Sequence, residues 1–139
     1  MKVNIGPYPE KLKARRKINI VIHDYDIWNI DSTLAYIIAP LLVKLKESKV
    51  GVPRVYDEDL PKEIIEKYPD SYELMDGLEF RWNYILDSMI FSFETYNTNW
   101  EEQFYPKGLM YDKEAYDIFE KKLYYGIRMF GKYFGNLWT

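Results

Sequence analysis

Leu78, Trp82, Ile85, Leu86, Met89, Ile90 and Phe93 recur at helical steps, which places them on one face of an amphipathic helix from about Leu74 to Tyr96. A helix of that length cannot leave such a stripe in water, so other helices must cover it. Two further patterns supply them. Asp31 and Ser32 offer side-chain oxygens that cap a helix carrying Leu34, Ile37, Ile38, Leu41, Leu42 and Leu45. Pro40 inside that helix removes a backbone donor and should bend it, and Gly51 and Pro53 end it. After a connector from Asn97 to Gly108, Asp112 caps a last helix with a seam of Tyr116, Phe119, Leu123, Ile127, Phe130, Phe134 and Leu137. The stretch from Pro53 to Pro61, with Asp57, Glu58 and Asp59, reads as an acidic connector before a short helix near Lys62 to Lys67.

The amino-terminal part has a different period. Lys2 to Ile5 and Ile18 to His23 read as strands, the second with Ile18, Ile20 and Ile22 in alternation. Two strands alone are marginal in water, so this ribbon must pack on helices or be completed by a second copy of the chain. The expected fold is therefore α+β and predominantly helical, a small N-terminal antiparallel β element packed on three long helices and one short one. One domain spans 1–139, with a β ribbon and basic loop over 1–28 and the helical part over 29–139. No internal repeat or low-complexity linker is visible.

Composition narrows the function classes. With 139 residues, 47% of them hydrophobic and 18% aromatic, the chain can bury a sizeable core, and core filling is the first expectation for its rings. Nineteen basic and 22 acidic side chains leave a net charge of −3, which argues against a broad nucleic-acid-binding field. The absence of cysteine excludes disulfides, thiolate metal sites and a cysteine nucleophile. No apolar run approaches a membrane span, and nothing resembles a secretion signal, so a cytoplasmic setting without membrane partners is expected.

Three groups of residues are candidates for chemistry. Asp24 and Asp26 at the end of the second strand, with Asp31 nearby, have the Asp-x-Asp spacing that holds Mg²⁺ or supplies a nucleophile and acid in haloacid-dehalogenase phosphotransferases. The further parallel strands of those enzymes have no counterpart here, and a polar turn with helix caps explains the same residues. His23 is the sole histidine and fits a single structural hydrogen bond. On the long helix, Asp87 and Glu94 could meet Arg128 and Lys132 in an ion network. Alternatively, Arg81, Trp82, Arg128 and Lys132 could line a pocket for a phosphate-bearing ring. Lys11, Lys13, Arg15, Arg16 and Lys17 form the densest positive cluster and could contact phosphates or simply be solvated.

Asp24-Tyr25-Asp26-Ile27-Trp28, Asp31 to Ala35, Pro40 to Lys46, Gly51-Val52-Pro53, Asp57 to Pro61, Arg81 to Glu94 and Phe130 to Trp138 resemble, over most of the chain, a family of small uncharacterised bacteriophage proteins. The resemblance implies an origin, and with it an accessory role such as countering host defence. The resulting expectation is a non-enzymatic, homo-oligomeric protein without a cofactor. It would sequester a small nucleotide-like immune signal through Arg81, Trp82, Arg128, Lys132, Arg15 and Arg16. The alternatives are a Mg²⁺-dependent enzyme on phosphate esters or nucleic acid using Asp24, Asp26 and Asp31, or an inhibitor that binds a host protein through an exposed aromatic patch.

Overall fold

The computed structural model describes residues 1–10, 14–70, 75–105 and 111–138. Lys11 and Lys13 of the basic run, Leu74 at the expected start of the long helix and Gly108 of the late connector lie outside the described residues.

Strands β1 (Lys2–Ile5) and β2 (Ile18–Val21) pair antiparallel, Val3 opposite Ile20 and Ile5 opposite Ile18. A 3-10 turn, Asp24–Ile27, leads into α1 (Ile30–Ser48). The acidic connector contains a second 3-10 turn, Asp57–Asp59, and is followed by the short α2 (Lys62–Lys67). Then come α3 (Met75–Thr95), a 3-10 turn at Trp100–Phe104, and α4 (Lys113–Lys132), whose Asp112 carboxylate accepts the Ala115 N–H as the expected cap. The architecture is α+β and mostly helical, as the periodicities indicate.

α3 is the central element and packs on both α1 and α4. Its Leu78, Trp82, Ile85, Leu86, Met89 and Phe93 are buried, with Ile90 at the margin. Two details depart from the sequence reading. α1 turns Ala35, Ala39 and Leu42 inward, while Leu34 and Leu41 stay exposed. Alanines let its backbone approach α3, and a close-packed interior rewards that fit over a leucine-rich face. Pro40 is exposed within a helix that continues past it. α4 stops at Lys132 instead of reaching Leu137, because Tyr133 leaves helical geometry (φ −99°, ψ 14°) and the chain enters a 3-10 turn, Phe134–Asn136. Phe134 and Leu137 therefore leave the helical seam.

The ring expectation holds at the far end of the bundle. Trp100 stacks on Tyr116 and Phe119 at centroid distances of 5.7 and 5.4 Å, and Phe104 meets both edge-on. These aromatics seal the turn between α3 and α4 as packing.

α3 and α4 approach closely at Gly126. Its missing side chain admits the α3 backbone, and a Cβ there would overlap the Ser88 carbonyl and the Ser92 hydroxyl. Ser92 Oγ uses the proximity to donate to Leu123 O at 2.7 Å across the helix pair. Gly126→Ala should consequently destabilise the fold by about 2–3 kcal/mol, although alanine is the better helix former. Urea unfolding followed by circular dichroism reads this directly, and an unchanged or raised midpoint would contradict the close crossing.

Candidate functional site

The acidic connector is the polar hub of the molecule. The Arg81 side chain is fully buried, and its guanidinium donates to Val55 O at 2.8 Å, to Tyr68 O at 3.0 Å and to the Asp57 carboxylate. The planar fork suits three acceptors in fixed directions, which an ammonium could not match. Asp59 is also buried, accepting from the Tyr133 hydroxyl at 2.7 Å and from Lys132 Nζ at 2.8 Å. Lys132 reaches Glu58 as well, at 2.7 Å, and the Tyr125 hydroxyl donates to the Asp59 carbonyl. All three connector carboxylates are thus held by groups on α3 or at the end of α4.

Several expectations need correction. Arg81, Trp82, Arg128 and Lys132 do not line one pocket. Arg81 is enclosed by its three acceptors, and Trp82 is buried edge-on against Tyr133 at 5.5 Å, leaving no face for a ligand ring. Lys132 belongs to the connector, and Arg128 is exposed on α4. The expected ion network of Asp87 and Glu94 with Arg128 and Lys132 does not form: Lys132 takes Glu58 and Asp59, Asp87 pairs with Lys46 of α1, and Glu94 and Arg128 stay exposed. Helical spacing identified the charged positions, but a loop distant in sequence supplied the partners. Arg15 and Arg16 sit in the hairpin, where Arg16 donates to Gly6 O at 2.7 Å and lies 4.3 Å over the Tyr8 ring.

Asp24, Asp26 and Asp31 do not form a cation site. Asp26 is buried and accepts from the Met1 amine at 2.6 Å and from the His23 backbone N–H at 2.7 Å, and these two donors hold its carboxyl below the usual aspartate range. Asp31 accepts the Ser32 N–H from an exposed position, and Asp24 is exposed too. Among the described residues, no group of three acids or histidines could hold a metal ion. His23 contributes its backbone rather than its ring to Asp26, and the imidazole stacks on Tyr25 at 5.2 Å. The described strands form a single antiparallel pair, which offers no carboxyl edge of a parallel sheet. No described helix is long and apolar enough to cross a membrane.

The feature that sequence reasoning missed is an apolar groove. Turning the alanines of α1 inward leaves Ile38, Leu41, Leu42 and Leu45 along one wall, and the early end of α4 sets Phe130, Phe134 and Leu137 opposite. The cavity holds about 430 Å³, and its rims are open: Leu41 is 64% and Phe134 66% exposed. The i, i+3, i+4, i+7 spacing of the α1 residues was visible, but it reads equally as a core face.

The connector carries two consequences. Burial, followed by the hydrogen bond to Asp59, pushes the Tyr133 hydroxyl from 10.0 up to about 12. A group raised in this way stabilises the fold fully below pH 10, and the contribution is lost as pH rises toward 12. Phenolate absorbance should show late-ionising tyrosines, Tyr133 and Tyr116 among them, over the range in which thermal stability falls, and Tyr133→Phe should remove its share of that component while costing about 1–3 kcal/mol at neutral pH. Arg81→Ala should cost about 3 kcal/mol or more, since the Val55 and Tyr68 carbonyls lose their donor. Arg81→Lys should recover only part of that stability in chemical denaturation, whereas full recovery would contradict the three-acceptor geometry.

Comparison with protein-family models, with curated proteins and with solved structures found no match to this chain.

Proposed function

We propose that the chain is a non-enzymatic binding protein that receives an amphipathic helix of a partner protein in the groove between α1 and the end of α4. The observation that carries this reading is the lining: seven side chains, all apolar, with no donor or acceptor among them. A site for a small polar molecule needs a few placed polar groups to orient it. A helix satisfies its own backbone hydrogen bonds and asks of a groove only apolar contact at i, i+3, i+4 and i+7. The resemblance to small bacteriophage proteins favours a host protein as the partner, with capture as the means of inhibiting it.

The commitment of Arg81 and Lys132 to connector acceptors weighs against a phosphate-binding pocket between the helices. A second reading, capture of a phosphate-containing signal, rests on Arg15, Arg16 and Lys17 in the hairpin, where Arg16 is already laid over Tyr8. Calorimetry with cyclic dinucleotides and ADP-ribose separates the two, since binding that Arg15→Ala abolishes would favour the hairpin.

For the groove, a displayed library of helical peptides is the probe. Selection against the protein should enrich sequences with large apolar residues at i, i+3, i+4 and i+7. Leu41→Asp and Phe134→Asp should each weaken the selected peptides by about 2 kcal/mol, roughly thirtyfold, with stability nearly unchanged because both side chains are mostly exposed. Failure to enrich such peptides, or equal binding to the two variants, would overturn the proposal.

A further inference from the structure

Asp31, Leu34, Ile38, Leu41 and Leu45 follow one another on α1 at steps of three and four, so an acid begins the stripe whose later members wall the groove. On α4, Glu120, Tyr124, Ile127, Phe130 and Phe134 form a matching stripe, again with the acid first. The two helices run in the same direction, because each is antiparallel to α3. Ser32 at the start of α1 donates to Tyr96 O just past the end of α3 at 3.1 Å, and Lys49 just past the end of α1 meets Glu79 near the start of α3 at 3.0 Å. On the other side, Phe119 meets Phe91 and Tyr133 meets Trp82. Asp31 and Glu120 therefore stand at the same end of the seam between α1 and α4.

That end holds a second cavity, of about 390 Å³. Asp31 and Ser32 stand on one side of it, and Tyr96, Trp100, Glu101 and Glu102 on the other. Trp100 stacks on Tyr116 and Phe119, which fixes the second wall to α4. No lysine, arginine or histidine lines this cavity. Among the described residues, Asp31, Glu101, Glu102 and Glu120 enter no ion pair. Their charges converge on two rings. Burial, and after it Tyr124, Asp31 and Glu120, raise the Tyr96 hydroxyl above its ordinary value, while burial, Glu120, Tyr111 and Glu101 raise that of Tyr116. The seam is thus bipolar, apolar from Ile38 and Phe130 onward and acidic before Leu34. A helix laid along it from Leu45 to Asp31 covers about 21 Å, at about 1.5 Å per residue. Its apolar anchors are used up at Leu34, and its next turn faces carboxylates with no cation of their own. A lysine or arginine suits that position, and an acid is repelled from it.

We infer that the groove's partner is a basic amphipathic helix, whose apolar anchors fill the half walled by Leu41 and Phe134 and whose adjoining lysine- or arginine-bearing turn enters the acidic half formed by Asp31, Glu101, Glu102 and Glu120. This inference rests on the groove reading and adds the partner's charge and where that charge sits.

The probe is a helical peptide with leucines at i, i+3, i+4 and i+7 and lysines on the same face in the adjoining turn. A copy with glutamines in place of the lysines serves as its reference, and each is made in both chain directions. At low salt the lysine peptide, in its better direction, should bind at least about tenfold more tightly than its glutamine copy, and the ratio should shrink as salt rises. Asp31→Asn combined with Glu120→Gln should remove most of that preference at an unchanged thermal midpoint. Glu63→Gln combined with Glu66→Gln, on α2, should leave it intact, which separates the local acids from the net charge of −3. Leu41→Asp should weaken both peptides. Equal binding of the two peptides, lost with Leu41→Asp, would overturn the charged half while the groove reading stands. Equal effects of the two double neutralisations would overturn the placement of the partner's charge. If neither peptide binds, the groove reading and this inference fall together.

Discussion

The rest of the structure depends on the way three consecutive carboxylates are neutralised. Asp57, Glu58 and Asp59 would repel one another if left alone, and Asp59, the one of the three that is buried, would be among the costliest features a fold can carry without partners. Arg81 answers the first from α3, and Lys132 and Tyr133 answer the others from the end of α4. The connector thereby ties two helices that are already packed together, and its flanking Val55 and Leu60 enter the common core. Once these groups are in place, neither Arg81 nor Lys132 is available to a ligand, which moves the functional question to the apolar surfaces.

Those surfaces follow from the way α1 sits. By presenting Ala35 and Ala39 to α3, the helix gains a close approach and leaves a leucine-rich strip facing outward. The strip meets Phe130 and Phe134 because α4 ends early, where Tyr133 is drawn to Asp59. Groove and polar hub therefore share a cause: the geometry that anchors the connector also places one wall of the groove.

Much of the fold was legible in the residues. Helix positions came from apolar spacing, and Lys62–Lys67 and the Asp112 cap appear where the sequence places them, whereas Asp31 and Ser32 fall inside α1, whose N-cap is Asn29 without a side-chain cap bond. The strand pairing likewise follows the alternation of isoleucines. What the sequence hid was rotation and partnership. Leu34, Ile38, Leu41 and Leu45 describe a helical face equally well whether it is inside or outside, and only the shape of α3 decides. The acids of the connector read as a solvated turn because their partners lie up to 74 residues away, beyond the reach of any local pattern. One hint was present: an arginine, Arg81, stands in the middle of the apolar stripe of α3, and a buried guanidinium demands acceptors from somewhere.

The separation between Asp59 and Tyr133 also bears on how the chain is made. Translation proceeds at about 5–20 residues per second, so the first half waits several seconds before Tyr133 has been synthesised. Throughout that interval Asp59 has none of its α4 donors. The contacts of Asp59 therefore close only once the final turn of α4 has been made, and that turn acts as a latch on a loop formed long before it.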